Sequence, residues 1–353
     1  MYFLRSLYLS TAILLLLLLF SCDFARESDF NSVDITPIFT DSLSIHALSP
    51  MDENRVWFAA NKGKMGLIDG DIPKLAMIKY EDKLLHFRSL AVTDEAVFVL
   101  SIASPAVLYK IGFDGSEATN IENVYTETGE RVFYNSMKFW NNQDGIAMGD
   151  PIDNCMTIII TRDGGNSWHK IACDNLPAAE RGEVAFAASN SNIAIMGNNV
   201  WIATGGSKAR VLHSPDKGST WEIYDTPIAS GEVMTGIHSI AFWDEKNGII
   251  AGGSSKNREQ KDANFAITND GGKTWELVAA GTGPEYCSSI KYVPNGNGEK
   301  LVAMGPTGIS YTSDRGKNWK KISDEGFFVL EFANDTVAFA SGKNRIARLI
   351  FRK

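Results

Sequence analysis

The sequence predicts an all-β protein: a seven-bladed β-propeller of four-stranded blades, its last blade closed by an N-terminal strand. Three observations carry that prediction. A turn motif occurs four times. Its spacing matches one four-stranded unit. The C-terminal end is one strand short, while an unassigned strand-like stretch stands near the start.

The motif copies are Thr161-Arg162-Asp163-Gly164-Gly165-Asn166-Ser167-Trp168, Ser214-Pro215-Asp216-Lys217-Gly218-Ser219-Thr220-Trp221, Thr268-Asn269-Asp270-Gly271-Gly272-Lys273-Thr274-Trp275 and Thr312-Ser313-Asp314-Arg315-Gly316-Lys317-Asn318-Trp319. Their aspartates are separated by 53, 54 and 44 residues. Repeats of that length fit a propeller blade better than a helical hairpin. Short β-rich runs precede each motif and one follows it, so the motif is predicted as the turn between strands three and four. In the repeat around Asp270 the runs are 239–243, 248–252, 264–268 and 275–278. The other motif repeats place strands at 137–140, 145–149 and 156–161, at 184–188, 200–204 and 209–214, and at 289–292, 301–304 and 308–312.

Two earlier repeats, at 43–80 and 85–126, keep the strands and lack the motif. The end of the chain offers only 327–332, 336–340 and 345–351. Residues 32–39 are therefore assigned as the missing outer strand, which would remove the open edges of the array. The count becomes six or eight if the first 90 residues divide differently.

Residues 1–21 read as a signal peptide, with Arg5 ahead of an apolar run at 12–20 that holds six consecutive leucines. The run is shorter than the roughly 20 residues of a membrane span. Leu19-Phe20-Ser21-Cys22 resembles a bacterial lipobox, so Cys22 is the expected lipidation site and 22–31 a flexible tether. The expected location is the bacterial cell envelope, with the propeller at 32–353 held to a membrane by its lipid. An ordinary signal peptide is the alternative.

The net charge is −8 over 353 residues, which speaks against nucleic acid as a partner. Four cysteines are present. Cys155 and Cys173 flank one motif turn. Either they form a disulfide, in an oxidising compartment, or they are two small buried apolar residues. Cys287 has no evident partner.

Within the motif, the carboxylate can accept the turn's own N–H groups. Glycine permits left-handed backbone, and tryptophan buries a large surface. Asp163, Trp168, Asp216, Trp221, Asp270, Trp275, Asp314 and Trp319 are thus structural residues. Four aspartates spread around a ring do not converge on one substrate or one metal, and no metal site is expected.

These copies resemble the Asp-box (BNR) repeat of sialidases, other glycosidases, sorting receptors and the photosystem II assembly factor family. Gly145-Ile146-Ala147-Met148-Gly149 and Gly248-Ile249-Ile250-Ala251-Gly252 narrow the resemblance to the assembly factors. Gly182-Glu183-Val184-Ala185-Phe186-Ala187-Ala188-Ser189-Asn190 is similar to envelope members of that family, often loosely named oxidoreductases. The resemblance implies a non-catalytic scaffold that binds a protein or peptide. It brings no cofactor, and the chain lacks a CxxC, a haem motif and a dinucleotide glycine loop. A sialidase-like glycoside hydrolase or a glycan-binding propeller is the alternative. The sialidase Arg-Ile-Pro motif is absent, and His86-Phe87-Arg88-Ser89-Leu90 is its nearest approach.

With the motifs on one face, binding is expected on the other. Loops there carry Lys62, Lys64, Lys208, Lys256, Arg258, Lys261 and Lys343, with Arg210 and Arg345 close behind. Glu130, Glu183, Glu232 and Glu285 recur just before innermost strands. The candidate binding residues are Asp150, Glu183, Arg210, Glu232 and His238, and no catalytic residue is assigned. The competing reading makes them solvated loop residues that tie neighbouring blades, with His238 a satisfied interior histidine. Glu183 and Glu232 are the carboxylate pair that a glycosidase reading would use.

Overall fold

The structure, a computed structural model, describes residues 29–353. The signal peptide, Cys22 and the tether up to residue 28 lie outside the described residues. Among the described residues, regular structure is strand apart from one 3-10 turn at Cys173–Asn175, and no helix is long and apolar enough to cross a membrane.

The strands pair antiparallel in successive four-stranded units. Phe87–Val92, Ala96–Ser101, Ala106–Asp114 and Glu117–Glu127 form one; Ser289–Tyr292, Leu301–Gly305, Gly308–Thr312 and Lys320–Ser323 form another. Second strands such as Ala96–Ser101 and Gly248–Ser254 are buried along their whole length. They are covered on both faces by neighbouring units, which is why their sequences run apolar or small without alternation.

The strand Ser32–Pro50 belongs to two units. Residues 32–44 pair with Lys343–Arg352, and residues 45–50 pair with Arg55–Ala60, with a register shift between Thr40 and Ser44. One seven-stranded sheet therefore runs from Val329–Phe332 to Ile72–Met77. The innermost strands pack in chain order: Ser32–Pro50, Phe87–Val92, Tyr134–Phe139, Ile193–Met196, Thr235–Phe242, Ser289–Tyr292 and Val329–Phe332, the last again against the first. Glu331 accepts Lys291 at 2.7 Å and faces Lys138 at 3.9 Å, so charged side chains of three innermost strands meet.

Each motif closes on itself by the same hydrogen bonds. In the first copy the Thr161 hydroxyl donates to Asp163 Oδ1 at 2.8 Å and accepts the Gly165 N–H at 2.9 Å. The Ser167 N–H and hydroxyl donate to the two carboxylate oxygens at 3.0 and 2.6 Å. Slight burial works against the charge, but these bonds outweigh it and hold Asp163 down at about 2. The indoles of Trp221, Trp275 and Trp319 donate to Gly218, Gly272 and Gly316. Trp168 instead packs on Phe98 and Phe139, its Nε1 without a hydrogen-bond partner among the described residues.

The second motif glycine does more than turn the chain. Gly165 has φ +76°, and a Cβ there would stand 2.3 Å from Phe98 of the preceding unit. Gly218, Gly272 and Gly316 also have positive φ and face Ile160, Trp201 and Ile249 of their preceding units.

The fourth unit departs from the sequence expectation. Its first strand is Ile193–Met196, and residues 185–192 are not strand. Only Glu183–Val184 keeps β pairing, with Gly205–Gly206. The Val-Ala-Phe-Ala-Ala run looked like a strand by composition, but its backbone and the Ser-Asn run after it bond to other units. His46 Nδ1 lies 2.7 Å from the Ala188 carbonyl, and Arg88 donates to the Ala187 carbonyl at 2.8 Å. Asn190 bridges the Leu90 carbonyl and the Met137 N–H at 2.7 and 3.0 Å. Ser189 donates to the Ser288 carbonyl at 2.6 Å, and Ser191 to the Ser239 hydroxyl at 2.9 Å. Asn190 holds φ +55°, a conformation asparagine tolerates.

Cys155 and Cys173 are disulfide-bonded, with Cα atoms 5.6 Å apart. Cys287 is buried and free.

Alanine at Gly165 combines the left-handed backbone penalty with overpacking against Phe98, for an expected loss of about 2–5 kcal/mol. Gly231, at φ +100° with open space around its Cβ position, serves as the control and carries the backbone penalty alone. Urea unfolding of both alanine variants checks the difference; equal losses would remove the inter-unit role of the motif glycine.

Candidate functional site

Where the connections after the second strands meet those between units, the chain encloses a cavity of about 700 Å³. His46, Arg88, Phe133, Asp150, residues 184–188, Glu232, Met234, His238, Tyr286, Ser288 and Phe328 are among its lining residues. They come from, or from just beside, innermost strands all round the molecule. The segment 185–188 forms one side, and its bonds to His46 and Arg88 stretch it across the centre.

The walls are mainly apolar and aromatic. Phe186 stacks on His238 with ring centroids 4.0 Å apart, and Phe328 stacks on His46 at 4.8 Å. Val233 and Met234 stand at the mouth, 72% and 42% exposed. An apolar cavity of this size with few convergent polar groups has the character of a ligand site.

The sequence candidates separate into two sets. Asp150, Glu232 and His238 line the cavity. Asp150 Oδ1 accepts from the Asn135 amide at 2.8 Å and the Ala185 N–H at 3.0 Å. Burial raises its pKa above the ordinary aspartate value despite those two bonds. His238 is fully buried; desolvation lowers its pKa to about 3, so it is neutral. Its Nδ1 lies 3.1 Å from the Tyr286 hydroxyl.

Glu183 and Arg210 do not line the cavity. They form a buried ion pair, 2% and 8% exposed. Glu183 Oε1 accepts Thr204 at 2.6 Å and Arg210 Nε at 3.1 Å, and Oε2 accepts the Glu180 N–H at 2.9 Å and Arg210 Nη2. Arg210 also donates to the Ala178 carbonyl at 2.9 Å. Glu183 and Glu232 are therefore not partners across one cleft.

Several loop cations are likewise held locally. Lys64 pairs with Asp41, Lys208 with Asp225, Lys261 with Glu285 and Arg345 with Glu325. Of the loop cations named from the sequence, Arg258 lines the cavity.

Sequence reasoning missed His46 and Arg88 as cavity residues. Arg88 had one visible signal, a charged residue in an otherwise apolar innermost strand. It donates through Nε to His86 Nε2 at 3.2 Å. Burial and the Arg88 charge lower His46 to about 3 and His86 to about 4, so both are neutral at pH 7.

No protein-family model and no curated protein matches the sequence. Solved structures do share the fold. YCF48 bound to D1 peptide superposes with a TM-score of 0.65 at 13% identity, over 92% of this chain and 99% of that one. YCF48 from Cyanidioschyzon merolae gives 0.61 at 14% identity, over 91% and 98%. The WD40 repeats of RRP9 give 0.63 at 11% identity, over 92% and 99%. The protein thus has a YCF48-like β-propeller fold.

Replacing Glu183 by glutamine leaves Arg210 buried without its counter-charge and is expected to cost about 3–5 kcal/mol. The same change at exposed Glu232 is expected to stay within about 0.5 kcal/mol. Denaturation midpoints of the two variants check this; a stable Glu183→Gln protein would remove the structural assignment of the pair.

Proposed function

We propose that the protein is a lipid-anchored envelope scaffold that holds a segment of a partner protein in the central cavity of a seven-bladed propeller. The observation that carries this reading is the apolar cavity of about 700 Å³, walled by contributions from around the whole molecule. The pairing of Ser32–Pro50 with both Lys343–Arg352 and Arg55–Ala60 supports a ring closed by the N-terminal strand. A structural neighbour, YCF48, was solved bound to D1 peptide, which supports a peptide or protein partner for this propeller.

The place where the chain leaves the body supports the anchored arrangement. Asp29 accepts the Tyr311 hydroxyl at 3.1 Å and the Ser313 hydroxyl at 3.0 Å, and Ser313 belongs to the last motif turn. The first described residue thus lies at the motif face, seven residues after Cys22. Seven residues span at most about 25 Å. In this arrangement the motif face lies toward the lipid and the cavity opens away from it.

A hydrolase reading has one observation in its favour: Asp150, with its raised pKa, shares the cavity with Glu232. Asp150 is already an acceptor for Asn135 of its own unit and for the Ala185 N–H of the next, so it ties the two units together. The scaffold reading is preferred on that ground.

A photo-crosslinker at Val233 is expected to give a discrete adduct in the native cell, and the same group at exposed Ile121 on an outer strand none. Ser207→Trp at the cavity wall is expected to weaken the Val233 adduct at least tenfold. Equal labelling at both sites, or glycan hydrolysis that Asp150→Asn abolishes, overturns the scaffold reading. For the anchor, Cys22→Ser is expected to move the protein from the membrane to the soluble fraction; unchanged membrane association would dismiss the lipid.

A further inference from the structure

Ser44 and His46 stand two residues apart on the strand Ser32–Pro50, where it passes from the last unit to the first. The Ser44 hydroxyl lies 2.7 Å from His46 Nε2, and His46 Nδ1 lies 2.7 Å from the Ala188 carbonyl. A carbonyl only accepts, so Nδ1 carries the ring proton. Burial and the Arg88 charge keep the ring neutral at pH 7. Nε2 is then an acceptor, and Ser44 donates to it. This is the order of a nucleophile, its base and the group that orients the base. A second serine–histidine contact, Ser167 on His169, is longer at 3.4 Å, and the Ser167 hydroxyl is committed to Asp163.

The pair is held from several sides. Phe328 stacks on the His46 ring, with 8° between the planes. The Asn61 side chain accepts the Ser44 N–H at 2.8 Å, and the Asn61 N–H donates to the Ser44 carbonyl at 3.3 Å. Ser44 is half-buried, so its hydroxyl stays within reach of a reactant, and His46 lines the cavity.

Cationic side chains stand on two sides. Lys343 is the cross-strand partner of Ser44, a position that puts the two Cβ atoms about 5 Å apart. Arg88 acts on His46 from the second innermost strand. Positive charge beside an attacked carbonyl stabilises the oxyanion that forms there. Burial and Arg88 also oppose the imidazolium that proton transfer creates. The pair therefore suits acyl donors whose leaving group departs readily, aryl esters and thioesters rather than amides.

We propose that Ser44 is a nucleophile activated by His46, and that the pair hydrolyses activated esters at the cavity. Ser44 Oγ bonds to the acyl carbon while its proton passes to His46 Nε2. The bond to the leaving oxygen or sulfur then breaks, and the departing alcohol or thiol takes the proton from Nε2. Water adds to the acyl-serine by the same route, giving a proton to Nε2. The carboxylic acid leaves, and that proton returns to Ser44 Oγ. This activity goes beyond the scaffold reading and does not depend on it.

The test treats the whole protein with a fluorophosphonate, which phosphonylates activated serines, and separately with p-nitrophenyl acetate. The native wild type is expected to take one fluorophosphonate, mapped to Ser44, and to release p-nitrophenol faster than buffer does. Ser44→Ala is expected to lose both signals. His46→Gln is expected to lower both at least tenfold, less than an ordinary general base supplies because the ring is a weak one. Melting curves accompany both variants, and Ser44→Ala, which removes one hydroxyl from a half-buried residue, decides the matter if His46→Gln unfolds. No adduct on the native wild type, an adduct mapped to another residue, or an adduct formed equally fast in folded His46→Gln overturns the pair. An adduct at Ser44 with p-nitrophenol release no faster than that of Ser44→Ala overturns the hydrolysis. Crosslinking at Val233 is read separately, so failure here leaves the scaffold reading standing.

Discussion

The contact on which the motif-bearing units depend is the seat of a glycine against the unit before it. Gly165, Gly218, Gly272 and Gly316 each bring bare backbone against a core side chain of the preceding unit, at Phe98, Ile160, Trp201 and Ile249. The aspartate and hydroxyl bonds inside each turn hold that backbone in the left-handed conformation the approach needs. A motif that looks local in its hydrogen bonds is thus the joint between neighbours. Trp201 adds to the joint by donating to the Gly271 carbonyl at 2.7 Å. The first two units lack the motif and are joined differently, through Lys74 on Glu117 and the Tyr109 hydroxyl on the Lys79 carbonyl. Their outer strands also carry much of the exposed apolar surface, at Ile72, Leu75, Met77 and Ile121.

How much of this was legible follows from the range of each interaction. The motif turns, the strand alternation and the shortfall of strands at the C-terminus are local or periodic, so the architecture could be read from residue order. The disulfide was half-legible, because Cys155 and Cys173 flank a hairpin whose geometry a sequence does not supply. The cavity was much less so. His46 and Phe328 meet in it from opposite ends of the chain, and no window of sequence contains both. Glu130, Glu183, Glu232 and Glu285 occupy equivalent places in four repeats and have four environments: exposed beside the cavity rim of another loop pair, buried on Arg210, at the cavity mouth, and against Lys261. Which one faces a ligand depends on the crossing segment, whose composition imitates a strand.

Two arginines show how one residue type takes opposite roles in the second and fourth units. Arg210 has its Nε and Nη2 on one carboxylate and a carbonyl, and it locks the entry to the fourth unit. Arg88 has one carbonyl and one imidazole, and its charge adds to burial in lowering the pKa of His46 and His86. The first arrangement spends its charge on the fold; the second leaves it directed into a cavity. Arg210 is buried and Arg88 half-buried, and only Arg210 has an acidic partner among the described residues.

The segment at 185–192 also draws distant parts of the chain together. Its bonds close loops of 142 residues to His46, 100 to Leu90 and 99 to Ser288. Contacts of such sequence separation form slowly, because the chain between them must first be ordered. Neighbouring units can pair and pack through local contacts long before these bonds exist. The cavity draws on both ends of the chain, His46 and Phe328 among its walls, so a chain still missing its later units has no finished pocket.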